Sequence, residues 1–277
     1  MKIRLIAVDL DGTLVGDDLA ISPGDRAAIS RATSAGINVC LATGRLFSAS
    51  RRFADDLGLG GPLACLQGAA IYDVRTGRLM RSWPLALGTA LRAYDFMKDG
   101  GYNVQLYFGD ALFVDHVDER TDEYLRRSRV EATRVPDLRT LLSDAGSAPG
   151  TLLKVLGIGS APDVERDVPR LSSVLGADEA NVMKSQPTYL EVTDPSADKG
   201  SALRFMAASL EISLDETAAI GDSDNDAPML QIAGASFAVA GATAVARRAA
   251  RMMVGVQGVG VAEAIDALCD ADACGIP

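Results

Sequence analysis

Ile3-Arg4-Leu5-Ile6-Ala7-Val8 runs straight into Asp9-Leu10-Asp11-Gly12-Thr13-Leu14. An apolar stretch of strand length that stops at two acids, a glycine and a hydroxyl reads as a strand feeding a polar loop. Downstream, Ser22-Pro23 with Asp25 predicts a helix start, because it combines a cap residue, a first-turn proline and an early acid, and Gly36 closes that helix. Ile37 to Ala42 is a second strand, ending in the polar turn Thr43-Gly44-Arg45 before a helix through about Leu57 and a third strand near Leu63 to Leu66. This β-α-β-α-β order with short connections predicts a parallel sheet with helices on its faces, in which ligands gather beyond the carboxyl ends of the strands. Both polar turns lie at such ends.

From about Trp83-Pro84 the rhythm changes. A helix from about Thr89 to Asp99 is followed by two short runs, Val104 to Phe108 and Ala111 to Val114, split by Gly109-Asp110 as in a hairpin. Helical stretches around Asp118 to Arg129 and Ala161 to Leu175 enclose the apolar run Leu152 to Ile158. Together these predict an α+β unit with a largely antiparallel sheet. After Tyr189-Leu190-Glu191-Val192 the alternation returns, with a helix from about Lys199 to Leu210, a strand Thr217 to Ile220, a helix from about Asn225 and a strand Phe237 to Val239. The expected organisation is a parallel α/β core over 1–82 and 191–277, interrupted by an inserted domain over 83–190.

Composition narrows the function classes. With 48% hydrophobic and 23% charged residues over 277 positions, the chain has the apolar content of a globular protein with a sizeable core, not of a disordered one. The net charge is −10, and no stretch concentrates Lys and Arg with interleaved aromatics, which argues against a nucleic-acid partner. No 18 consecutive apolar residues occur, and the first apolar run is broken by Asp9 and Asp11 without a small-residue cleavage site, so no membrane association and a cytoplasmic location are expected. Cysteines stand at 40, 65, 269 and 274 without a CxxC pair; Cys40 and Cys65 lie in apolar runs and read as reduced core thiols. His116 is the single histidine, in Val114-Asp115-His116-Val117, and reads as a surface or loop group. Chemistry therefore falls to carboxylates.

Asp9 and Asp11 are two apart, so both can project to one side at the end of an extended strand. They would repel each other unless a cation intervened, and a hard cation such as Mg²⁺ takes oxygen ligands of this kind. Gly221-Asp222-Ser223-Asp224-Asn225-Asp226, just past another apolar strand, supplies a third acid. Asp, Gly and Asn also make ordinary turns, but two such loops at strand ends favour the metal reading. Thr43-Gly44 offers a hydroxyl and an unhindered N–H at a helix start, suited to a phosphoryl oxygen or to simple capping. Lys199 opens a helix, where the macrodipole disfavours a cation; it either faces solvent or neutralises a carboxylate or phosphate.

Asp9-Leu10-Asp11-Gly12-Thr13-Leu14, Thr43-Gly44-Arg45, Lys199-Gly200 and Gly221-Asp222-Ser223-Asp224-Asn225-Asp226, in that order, resemble the haloacid dehalogenase-like phosphatase superfamily, and most closely its Cof-like branch. The resemblance spans the chain and implies a Rossmann-like core with an inserted C2-type α/β cap. It also implies a two-step phosphoryl transfer, with Asp9 as nucleophile forming an aspartyl-phosphate and Asp11 as the acid and base that serves leaving group and water. Mg²⁺ would be held by the Asp9 carboxylate, the Asp11 carbonyl and the Asp222 carboxylate, with Asp226 in an outer position or orienting Lys199. Thr43, Gly44, Lys199 and Asn225 would bind the phosphoryl oxygens. The chain departs from the family at Gln67-Gly68-Ala69, where relatives usually read Asn-Gly-Ala.

These implications point to a Mg²⁺-dependent phosphatase for small phosphorylated metabolites such as sugar phosphates, nucleotides or phosphorylated cofactors. A phosphomutase or phosphotransferase on the same scaffold is the alternative, and a non-catalytic metal or phosphate-binding module is a third reading. A nicotinamide enzyme is excluded, because the first strand lacks the Gly-x-Gly-x-x-Gly turn. The inserted domain offers Arg126, Arg127, Lys154 and Lys184 with equal claims to solvated face or anion site. Monomer and homodimer are equally compatible with the sequence.

Overall fold

Leu5, Ile6, Ala7 and Val8 form β1 (Leu5–Val8), and all four are fully buried. In the computed structural model, which describes residues 2–143 and 150–270, this strand has a parallel neighbour on each edge, so both sets of its side chains must be apolar. α1 (Pro23–Ser34) begins where expected: Ser22 Oγ accepts the Asp25 N–H at 3.0 Å, and Pro23 occupies the first turn. The fully buried Asp25 also accepts the Ala262 N–H at 2.8 Å, joining the first helix to the last.

β2 (Asn38–Leu41), α2 (Phe47–Asp56), β3 (Pro62–Cys65), β4 (Ala70–Asp73) and β5 (Leu79–Ser82) follow. Here the structure departs from the expected β-α-β-α-β sheet. β3 pairs antiparallel with β4 in a separate three-stranded sheet, β3-β4-β5, and meets the end of β2 through a parallel bridge between Ala42 and Ala64. The chain reverses from β3 to β4 through Leu66, Gln67 and Gly68, with φ of +51°, +62° and +93°, and the next turn, from β4 to β5, is held by Asp73 Oδ1 accepting the Thr76 N–H at 2.7 Å.

The second compact unit contains α3 (Leu87–Asp99), β6 (Asn103–Phe108), β7 (Ala111–Val114), α4 (Glu119–Ser128), β8 (Ala132–Arg134), α5 (Leu138–Ser143), β9 (Leu152–Ile158), α6 (Ala161–Leu175), β10 (Asn181–Gln186) and β11 (Tyr189–Thr193). Its six-stranded sheet runs β10-β11-β9-β6-β7-β8 and is antiparallel except for the edge pair β7–β8. Period-two alternation sorts the side chains. Val104, Leu106, Val155, Leu190 and Val192 join Ala90, Ala93 and Met97 of α3 and Val164 and Leu171 of α6 in one core. Gln105, Tyr107, Lys154 and Glu191 occupy the other set of positions and are equally buried.

The first unit resumes with α7 (Lys199–Ser209), β12 (Thr217–Gly221), α8 (Ala227–Ile232), β13 (Ala235–Val239), α9 (Ala244–Ala249), β14 (Met252–Val254) and α10 (Gly260–Asp270). Its five-stranded sheet, β14-β13-β12-β1-β2, is parallel throughout. The units divide at Thr43/Gly44, Ala49/Ser50, Met80/Arg81 and Ala197/Asp198. The return to the core therefore falls at Asp198 and not at 191, because β11 is laddered to β9 and β10. The helix expected from Asn225 starts at Ala227, after a single 3₁₀ turn over Asp224–Asp226.

Cys40 and Cys65 are buried, and burial pushes the Cys40 thiol up to about 12; Cys269 is half-buried, while Cys274 lies outside the described residues. His116 is exposed, with Nδ1 at 2.6 Å from Asp115. Among the described residues, no helix is long and apolar enough to cross a membrane.

Candidate active site

β1 and β12 are neighbours, so the loops leaving their carboxyl ends meet. The Asp9 N–H continues the ladder onto the Ile220 carbonyl at 3.0 Å, which sets Asp9 at the lip of the sheet, almost wholly buried. Beyond it the chain coils tightly, with Leu14 and Val15 both donating to the Leu10 carbonyl at 2.9 Å. Gly12 is required there twice over. Its φ is +89°, and a Cβ would stand 2.6 Å from Asp222 Oδ2.

The second loop is braced from within. Asp226 is fully buried; its Oδ2 accepts the Asp222 and Ser223 N–H groups at 2.9 Å each, and its Oδ1 accepts Lys199 Nζ at 2.6 Å. Asp222 is held by Thr13 Oγ1 at 3.1 Å and Ser223 Oγ at 2.9 Å. Gly221 permits this fold-back, since a Cβ would lie 2.6 Å from the Asp226 side chain.

Lys199 settles the question its position raised. Asp198 caps α7 by accepting the Ser201 N–H at 2.8 Å, and the lysine at the first helical position turns inward, fully buried, with Nζ 2.5 Å from Asp9 Oδ1. Burial works against its charge, but Asp226 and Asp9 more than offset that and raise its pKa. Burial, then the Asp226 charge, pushes the Asp9 carboxyl well above the usual range, with Lys199 opposing and Asp222 adding to the rise. Asp222 is also raised, by burial first and Asp226 second.

One oxygen each from Asp9, Asp222 and Asp226 lies within 4.8 Å of the others. These crowded carboxylates, Asp9 and Asp226 buried and Asp222 half-buried, with the Lys199 ammonium between two of them, form an anionic, oxygen-only donor set, which fits a hard divalent cation. The converging carboxylates include Asp226, for which the resemblance implied an outer position or the orienting of Lys199, and its Oδ1 is bonded to Lys199 Nζ. Asp11 is half-buried on the same loop.

Thr43 is fully buried at the end of β2, tied by its N–H to the Ala64 carbonyl at 2.9 Å and by its own carbonyl to the Gln67 N–H at 3.0 Å. Thr43-Gly44 does not open a helix, as α2 begins only at Phe47. The Gly44 carbonyl accepts Lys154 Nζ at 3.0 Å. Asn225 donates to Gln67 Oε1 at 2.7 Å. The sequence did not pair Asn225 with Gln67, and it gave Lys154 equal claims to solvated face or anion site, whereas the lysine is buried and bonded to the Gly44 carbonyl.

The sequence profile of the haloacid dehalogenase-like hydrolases matches residues 6–265. The chain is 26% identical to the pyridoxal phosphate phosphatase of Escherichia coli over 262 residues, covering 92% of this chain and 94% of that protein. It is 27% identical to a 5-amino-6-(5-phospho-D-ribitylamino)uracil phosphatase of Bacillus subtilis over 253 residues, covering 90% and 89% of the two. A haloacid dehalogenase-like hydrolase of Bacteroides thetaiotaomicron superposes with a TM-score of 0.81 at 25% identity, over 96% of this chain and all of that one. With a parallel core, an inserted α+β unit and an acid cluster at the ends of β1 and β12, the chain belongs to the haloacid dehalogenase-like hydrolases, in their Cof-like branch.

Proposed function

We propose that this enzyme is a Mg²⁺-dependent phosphatase that hydrolyses small phosphorylated metabolites through an aspartyl-phosphate on Asp9. Phosphatase activity itself follows from the family and from relatives named as phosphatases. The observation that carries the finer reading is Lys199 Nζ lying between Asp9 and Asp226 at 2.5 and 2.6 Å, beside a third carboxylate.

Asp9, the Asp11 carbonyl and Asp222 would hold the ion, whose positive charge offsets that of the anionic phosphate and of the transition state. Asp9 Oδ attacks phosphorus in line, and the ester oxygen leaves with a proton from Asp11. Asp11 then takes a proton from water as that water attacks the aspartyl-phosphate, releasing inorganic phosphate and restoring Asp9. Lys199 neutralises one nonbridging oxygen and keeps Asp9 oriented. Thr43 Oγ1, the Gly44 N–H and the Asn225 amide complete the cradle for the phosphoryl oxygens. Asp226 acts through its neighbours, holding Lys199 on one oxygen and the Asp222 and Ser223 amides on the other.

Phosphate release from a panel of sugar phosphates, nucleotides, pyridoxal phosphate and flavin mononucleotide, with Mg²⁺ or EDTA, tests this reading. Release that needs Mg²⁺ supports it and ranks the substrates, and Asp222→Ala should then shift the Mg²⁺ titration and lower the rate together. Release that is equal in EDTA, or an unchanged titration in Asp222→Ala, would remove the assigned metal site.

A further inference from the structure

Two contacts grip the short segment 44–49, which groups with the second compact unit although the chain on either side belongs to the first. The first comes from Lys154, in the middle of β9 and 2% exposed in its side chain. Its ammonium lies 2.9 Å from Glu191 Oε2, 4.4 Å from the centre of the Tyr107 ring and 3.0 Å from the Gly44 carbonyl. Glu191 is held in turn by Ser185 Oγ, and Tyr107 by hydroxyl contacts of 2.8 Å to Gln105 and Tyr124. The second grip comes from Asp110, at the turn of the β6–β7 hairpin after Gly109. Its carboxylate accepts the Ser48 N–H at 3.1 and 3.0 Å and is also bonded by the Phe47 N–H, so it caps the first turn of α2 from a distant part of the chain.

A buried ammonium is costly, and Glu191 alone would balance its charge; two apolar residues would fill the same space at no loss of stability. What the apolar pair could not do is donate to the Gly44 carbonyl. Glycine has the widest backbone freedom of any residue, so a loop that depends on the direction of its N–H needs an external hold.

We propose that Lys154 and Asp110 are positioning residues for the Thr43–Gly44 phosphate loop: Lys154 orients Gly44 through its carbonyl, and Asp110 anchors the chain as it enters α2. This rests on the assignment of Thr43 and Gly44 to the phosphoryl group. Because the loop meets phosphate in substrate and product alike, loosening it weakens both by the same factor and leaves the chemical step largely untouched.

The test uses the full chain as wild type, Lys154→Met, Lys154→Arg and Asp110→Ala, with KM and kcat on the best ester of the panel and calorimetric binding of inorganic phosphate. Lys154→Met should raise KM and the phosphate dissociation constant together by about 10-fold with kcat within about 3-fold, and Lys154→Arg should recover most of the loss. The exposed Asp110→Ala, which leaves the cores intact, should move the same two constants by about 3-fold. A folded Lys154→Met with unchanged constants, or a loss in kcat alone, overturns the proposal. Should Lys154→Met fail to fold, Asp110→Ala decides it, with unchanged constants counting against. A wild type that neither releases nor binds phosphate overturns the functional reading and this proposal together, whereas a wild type that does both isolates the failure to the positioning claim.

Discussion

Asn225 donates its side-chain amide to Gln67 Oε1 at 2.7 Å across 158 positions of sequence. Gln67 is buried with φ at +62°, at the loop after β3, and Asn225 sits in the 3₁₀ turn that carries Asp226. The residue that departs from the family's usual Asn therefore uses its extra methylene to hold a residue assigned to the phosphate. Asn tolerates positive φ well, so Gln67→Asn should fold normally but fall short of Asn225. Losing one hydrogen bond of about 1 kcal/mol should raise KM about 5-fold. Steady-state kinetics with a thermal melt checks this, and an unchanged KM would show that Asn225 needs no such hold.

Asp9→Asn should abolish turnover, by about 10³-fold or more, because the amide is not a nucleophile. The fold should survive. Asp9 is a buried carboxyl crowded by two others, so a neutral side chain of the same shape relieves repulsion. In EDTA its melting temperature should equal or exceed that of wild type. Retained phosphate release would remove Asp9 as nucleophile.

Lys199→Met should destabilise the metal-free protein by about 3–5 kcal/mol, since it strands Asp9 and Asp226 as buried charges without their cation. Adding Mg²⁺ should restore more stability to this variant than to wild type. Chemical denaturation with and without Mg²⁺ measures both effects, and equal Mg²⁺ responses would contradict the shared electrostatic role.

Asp167, on α6, accepts from Tyr102 Oη at 3.0 Å and from Arg166 and Arg170, and its side chain is 1% exposed. Arg166 first, then Tyr102 and Arg170, hold its carboxyl below the usual range against the opposing effect of burial. A depressed folded-state value contributes stability that is complete above the ordinary carboxylate pKa of about 3.9 and is lost as the pH falls through the folded value. Asp167→Asn keeps an acceptor for Tyr102, and both arginines are half exposed, so the cost at pH 7 should be about 1–2 kcal/mol. Melts at falling pH should show wild type and variant converging below about pH 4. A gap that persists there would place the effect in packing instead of charge.

Much of the core was legible because its signals are local. A fully apolar strand ending in Asp9, a capped helix from Pro23, and a lysine at the head of α7 are patterns within ten residues of one another. The weak elements were not legible. β10 is half-buried along its length and β8 has three residues, so neither carries a clear alternation, and both exist because stronger strands offer them an edge.

The sequence by itself determined the alternating β/α order, the acids at the ends of β1 and β12, and Lys199 at a helix start, since strand ends and caps are set by neighbouring residues. It could not say that β3 leaves the parallel sheet, that Gln67 reaches Asn225, or that Lys154 is buried against Glu191 and Gly44. Those relations depend on sheet order and register, which bring Lys154 to Gly44 across 110 positions and Gln67 to Asn225 across 158. At that separation sequence spacing carries no information, and only the folded chain supplies the geometry.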